Sequence, residues 1–194
     1  MSQAYKARGG LQVATVTEKT AIPTGTWKSD PVHSSVGFAV KHMVVATFRG
    51  AFTDYSVTLA NEDGDPRLYG AVRAESVDVR DPQLNGHLLS PDFFDTERYP
   101  EITFTSSEVD ADQGELVVNG KLTIKDTTKE VVARGSIVGP IEHPAGGERI
   151  GIDLETVVDR TEFGLNWNAP VPSGGVAVQN DVTLTIHLEL AKEE

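Results

Sequence analysis

The sequence predicts an all-β protein: a closed eight-stranded antiparallel barrel with a short helical segment near one mouth. Three observations carry that expectation. From Thr26 onward apolar and polar residues alternate with period 2, the pattern of a strand with one buried and one wet face. Several of these runs are much longer than the usual strand of about 5–6 residues, and long antiparallel strands are more economical in a closed barrel, which has no edges, than in a flat sandwich. Only one stretch, Asp81 to Phe94, reads as helix. The 194 residues, 39% aliphatic or aromatic and 24% charged, suit one globular domain with a core of its own.

Residues 1–22 are small, polar and aperiodic, with Lys6, Arg8 and Lys19 against Glu18, and read as a flexible, net positive N-terminal arm. The barrel is expected over 23–194. Strands are predicted near 25–29, 33–40, 44–60, 67–79, 101–109, 115–125, 129–139, 148–161 and 177–191, joined by turn-rich links such as Asn61 to Pro66 and Gly146-Gly147. Within 44–60 the apolar set moves from even positions (Val44, Ala46, Phe48, Phe52) to odd ones (Tyr55, Val57, Leu59), which calls for a bulge near Gly50 to Asp54. Asp81 can cap a helix that has Pro82 at its first position, with Leu84 and Leu88 on one face. The last strand alternates most regularly, Val182, Leu184, Ile186, Leu188 and Leu190 against Asp181, Thr183, Thr185, His187 and Glu189.

An eight-stranded barrel is either filled by its own side chains or just wide enough for one slender ligand. The inward positions include Gly70, Ala74, Ser76, Gly120, Ala133 and Gly135, which leave room for an apolar tunnel unless large residues on facing strands close it. Such a tunnel favours a hydrocarbon chain, each buried methylene contributing about 0.8 kcal/mol without a polar partner. Aromatic residues gather in the first third and at the helical segment, where Leu84, Leu88, Phe93 and Phe94 are placed to lid a mouth.

Seventeen basic residues against 29 acidic ones give a charge of −12, which repels nucleic acid and anionic lipid headgroups. With no cysteine there is no disulfide, thiolate nucleophile or Cys-ligated zinc. The chain lacks a signal-like apolar run at its start and any run of about 20 apolar residues, so it is expected to be cytoplasmic, without stable membrane insertion. The five histidines include no pair at metal-ligand spacing with a nearby carboxylate, and neither a metal nor a cofactor is expected. Ser34 and Ser35 adjoin His33 but point to faces unsuited to a Ser-His pair, and no catalytic residue is assigned. Asp159, Arg160 and Glu162 read as surface or rim ion pairs of small weight.

Four separated pieces then resemble one family. Trp27 to Met43 (WKSDPVHSSVGFAVKHM) with Phe48 to Phe52 (FRGAF), His87 to Val109 (HLLSPDFFDTERYPEITFTSSEV), Gly120 to Val131 (GKLTIKDTTKEV) and Asp159 to Trp167 (DRTEFGLNW) are similar, in order, to motifs of the YceI-like polyisoprenoid-binding, lipocalin-like barrels. The resemblance covers about Thr26 to Leu190. It implies an elongated barrel holding one long isoprenoid or related lipid, such as a polyprenyl, quinone or fatty-acyl tail, in its pore. It also implies a homodimer and no chemistry. Carried over by position, Phe38, Met43, Phe48, Phe52, Leu84, Leu88, Phe93, Phe94 and Phe104 would line the tunnel or its mouth, His33 and His42 would sit near its polar end, and Phe163 and Trp167 would join the contacts. Where many members carry Arg-Asp before the His-Leu of the helix, this chain has Leu84-Asn85, and Asp126 stands where a glycine is usual. Binding, transport or storage of such a lipid is the leading expectation. The alternatives are an enzyme on an isoprenoid-like substrate with His33 or His42 as acid or base, and a filled barrel serving as a protein-interaction module.

Overall fold

The structure is a computed structural model that describes residues 21–172 and 174–194. All but two residues of the expected arm fall outside the described residues. The strands are β1 (Gly25–Ser29), β2 (Ser35–His42), β3 (Ala46–Phe52), β4 (Tyr55–Asn61), β5 (Arg67–Arg73), β6 (Val77–Asp78), β7 (Glu101–Asp112), β8 (Glu115–Ile124), β9 (Thr127–Glu142), β10 (Glu148–Asp159) and β11 (Val178–Lys192). The helix α1 spans Pro82–Leu89. Every pairing is antiparallel, in the order β1-β4-β5-β7-β8-β9-β10-β11-β2-β3-β6, and β1 also pairs with β11.

Eleven segments make eight staves. β1 and β2 lie end to end along β11, through Trp27↔Lys192 and then Val36↔Ile186. β3 and β4 follow them as a second broken stave, paired to β2 and β1. β5 and β6 form a third, paired to β4 and β3. With β7 to β11 this is a closed eight-stranded antiparallel barrel.

The three breaks sit side by side, so the wall bends at one level. Thr53 and Asp54 interrupt the second stave where the apolar phase flips. There Thr53 N donates to Ser76 O (3.1 Å) and Arg73 N donates to Asp54 O (2.9 Å), joining this break to a 3-10 turn at Ala74–Ser76. The single strand expected over 67–79 is therefore two strands. Ala74 and Ser76 belong to the turn and do not widen the bore.

α1 forms as its first residues dictate. Asp81 Oδ1 accepts from Leu84 N (2.8 Å) and Pro82 occupies the first turn, where a missing N–H costs nothing. Asn85 Oδ1 accepts from Val79 N (2.9 Å), tying the helix to the end of β6. Leu88 is buried and packs in a cluster with Phe52, Phe93, Ile124 and Leu165, so α1 covers one end of the barrel.

The other end is solid. Trp27, Leu59, Leu116, Val118, Ile137, Ile150, Ile152 and Leu190 form a sealed cluster with almost no solvent exposure. Lys192 Nζ stands 5.4 Å from the Trp27 ring centroid, and Ile22 packs beneath. The barrel thus has a floor, and the apolar tunnel expected from the sequence takes the form of a blind cavity.

Candidate functional site: a blind apolar cavity

Above the floor the barrel is hollow. A cavity of about 610 Å³ lies between the wall and α1, within the range of about 300–1,000 Å³ usual for small-molecule sites. Along β11 its lining runs from Val178 to Leu188, which at the rise and tilt of barrel strands is a depth of roughly 25 Å. The walls are almost entirely hydrocarbon, because each strand turns its apolar set inward: Val36, Phe38 and Val40 on β2, Leu154 and Val158 on β10, and Val182, Leu184 and Ile186 on β11.

The hollow does not come from the glycines that suggested it. A Cβ on Gly120 would meet Phe104 Cζ at 2.5 Å, so the ring of β7 already fills that space. At Gly135 a Cβ would lie 1.8 Å from Asp153 O, where β10 crosses β9 closely. Gly70 lines the cavity, yet its own Cβ site is taken by Ser56 O at 2.7 Å.

Ten of the thirteen residues singled out from the sequence line this cavity: Phe38, His42, Phe48, Phe52, Leu84, Leu88, Phe93, Phe94, Phe104 and Trp167. Phe38 stands 6.4 Å from Phe48 and 5.9 Å from Phe52 between ring centroids, and Phe52 meets Phe94 edge-on at 5.7 Å. A second aromatic group, Phe93, His87 and Trp167, closes the mouth beside α1, with His87 edge-on to Trp167 at 4.8 Å.

Three lie elsewhere. Met43 has φ 50° at the β2–β3 turn, which turns its side chain out to solvent. Phe163, the last residue of the 3-10 turn Arg160–Phe163, is 1% exposed and packs in the cluster of Phe52, Leu88, Phe93 and Leu165 without lining the cavity. His33 is on the outer wall, in the link between β1 and β2, remote from His42 at the mouth.

At that outer position His33 Nδ1 is 3.0 Å from Asp30 Oδ2 and 3.9 Å from Glu189 Oε1. The hydrogen bond with Asp30 raises the His33 pKa above its ordinary value, and the same bond lowers that of Asp30. The three candidate ligand atoms of Asp30, His33 and Glu189 lie within 4.8 Å of one another, a grouping that sequence spacing conceals. Arg149 Nε, 3.6 Å from Glu189 Oε1, already places a cation on this group.

Arg160 departs most from the expectation of a rim ion pair. It is 6% exposed and lines the cavity, at the level where Val178 pairs with His42. Its Nε donates to Gln179 O (3.0 Å), Nη1 to Leu165 O and to Trp167 O (3.0 Å), and Nη2 to Val178 O (3.2 Å). Burial pushes its pKa down. Asp159 accepts instead from Thr161 N (2.8 Å) and Thr161 Oγ1 (2.5 Å), which together lower its pKa, and Glu162 lies 4.0 Å from Lys129. The period-2 phase of β10 contains the signal: Ile150, Ile152, Leu154, Thr156 and Val158 face inward, and 160 is the next such position.

Chemically the site can hold an apolar chain by burial, its charged and imidazole groups, Arg160, His42 and His87, lying at the mouth. Among the described residues no helix is long and apolar enough to cross a membrane.

A YceI-like domain model matches residues 27–190. The chain is 30% identical over 172 residues to a UPF0312 protein of Staphylococcus aureus strain USA300, covering 85% of this chain and 96% of that one. It is 31% identical over 136 residues to Protein YceI of Escherichia coli O157:H7, covering 69% and 71%. Among solved structures, BcnA of Burkholderia cenocepacia superposes with TM-score 0.69 at 23% identity, covering 83% of this chain and 98% of that one. A polyisoprenoid-binding domain from Saccharophagus degradans superposes with TM-score 0.65 at 14% identity, covering 88% and 100%. These two structures share the barrel fold with this chain.

Proposed function

The chain belongs to the YceI-like family, and from that premise we propose that its barrel binds the tail of one long-chain lipid, an isoprenoid or a related polyprenyl, quinone or fatty-acyl molecule, and carries or stores it. The observation that carries the reading is the blind, hydrocarbon-lined cavity of about 610 Å³. Water in such a space has few partners, while a lipid tail removes its own apolar surface and that of the wall from solvent together. That a solved barrel of the same fold is a polyisoprenoid-binding domain supports the choice of ligand class.

The reading is one of binding without chemistry. His33, with its Asp30 partner, lies outside the cavity, and His42, at the mouth, forms no hydrogen bond to a carboxylate among the described residues, so neither sets an oriented acid or base beside a bound tail. The filled-barrel alternative describes the floor but not the hollow above it. Pairing of two copies is part of the proposal on family likeness, and sedimentation equilibrium checks it.

The test is native mass spectrometry of protein purified without detergent. One long-chain lipid per chain, removable by solvent extraction and restored on incubation with lipid, is the expected result. Failure to find or restore any lipid would overturn the reading.

A further inference from the structure

Arg160 is a feature of the cavity that an apolar chain does not explain. Four of its five N–H groups donate to the main-chain carbonyls of Gln179, Leu165, Trp167 and Val178. Every acceptor is neutral. Among the described residues no carboxylate lies within ion-pair distance of the guanidinium. Asp159, its neighbour, points to the other face of β10, and Glu162 turns toward Lys129. One Nη2 hydrogen is therefore left without a protein acceptor among the described residues, and the positive charge, 94% buried in the wall of a low-dielectric cavity, has only the longer-range attraction of Asp159.

Bracing the β10–β11 connection accounts for the hydrogen bonds but not for the charge. Neutral donors would hold the same carbonyls without the desolvation cost of an ion, and a buried cation is ordinarily matched by an anion. Arg160 lines the cavity, so a ligand held there is the group that can supply that anion. Arg160 lies at the mouth, with the apolar walls running from it down to Trp27, so a chain with its tail on the floor brings its polar end to this level.

Resting on the reading that a lipid tail fills the cavity, we infer that Arg160 is its headgroup subsite and that the preferred ligand ends in an oxyanion, a carboxylate or a phosphate. The fifth N–H and the guanidinium charge together make a charge-assisted bond that a neutral alcohol of the same length forms only weakly. Leu84 and Asn85 add no charge at this mouth, where Arg160 is joined by His42 and His87.

The experiment compares octadecanoate, octadecyl phosphate and octadecan-1-ol, long enough to reach from the floor to Arg160, by calorimetric titration of the unmodified protein at pH 8. At least a tenfold tighter Kd for one or both oxyanions than for the alcohol is expected, and which of the two is preferred identifies the headgroup. Equal Kd values for all three would overturn the inference while leaving the lipid-tail reading intact. No binding by any of them would overturn both. Arg160→Gln is expected to bring the oxyanion-to-alcohol ratio to near one, whatever its effect on overall affinity, and Arg160→Lys to keep part of the ratio. Should either variant fail to fold, the ratio in the unmodified protein still decides.

Discussion

Division of the barrel into a solid floor and a hollow upper half predicts that the same substitution has different costs at two heights. Leu116 is 1% exposed within the floor cluster, whereas Leu184 faces the existing cavity. Leu116→Ala removes a side chain packed on all sides and leaves a new void, which costs about 3–5 kcal/mol. Leu184→Ala loses contacts on the wall side only and enlarges a space that is already there, so its cost is about 1–2 kcal/mol. At this chain length 1 kcal/mol moves Tm by about 2–4 °C, so the expected drops are roughly 6–20 °C and 2–8 °C. Thermal unfolding of lipid-stripped protein, followed by circular dichroism, measures both. Saturating lipid adds a second contrast. A ligand at a hundred times its Kd stabilises by about 2.7 kcal/mol, and that increment should shrink for Leu184→Ala but not for Leu116→Ala. Equal losses of stability at the two sites, with equal gains on adding lipid, would refute the division.

Other consequences are local. Val44, β-branched and at φ 66°, occupies a left-handed conformation that costs about 1–2 kcal/mol, so Val44→Gly should raise Tm or leave it unchanged despite the added chain entropy. Gly135→Ala should destabilise by about 1–3 kcal/mol because its Cβ meets the Asp153 carbonyl, while Gly151→Ala, with nothing near its Cβ, should stay within about 0.5 kcal/mol; urea midpoints separate them. The exposed His33–Asp30 pair predicts a shallow pH optimum. A raised His33 pKa gives stability that is present below the ordinary histidine value of 6.5 and lost as pH rises through the higher folded value. A lowered Asp30 pKa gives stability that is present above 3.8 and lost as pH falls through the folded value. His33→Gln should therefore flatten the stability profile on both sides of the window from about pH 4 to 6.5, and an unaltered profile would remove the pair from the account.

Much of the fold was legible because strand alternation is a direct consequence of one wet and one dry face. The flip between Phe52 and Tyr55 marked the break in the second stave, and Asp81 with Pro82 marked the start of α1. The glycines misled because period 2 shows which way a position points but not what arrives there from a neighbouring strand. Phe104 filling the space at Gly120, and β10 pressing on Gly135, are products of sheet coiling. The same limit hid the floor, which depends on Trp27, Leu116 and Ile150 meeting across the barrel from distant segments. Arg160 was read by charge type, and its inward phase along β10 was the stronger signal. Met43 was carried over by its position in the family motif and Phe163 with the late aromatic residues, but Met43 sits exposed in a left-handed turn and Phe163 is buried in a 3-10 turn without lining the cavity.

The most direct test of a blind hydrocarbon cavity is the affinity of the unmodified protein for a homologous series of primary alcohols. Each added methylene that still finds apolar wall should tighten Kd by about fourfold, in keeping with about 0.8 kcal/mol per buried CH₂. The gain should stop once the chain reaches the Trp27 floor. A series that shows no gain with length, or one that keeps its full gain however long the chain becomes, would contradict the account.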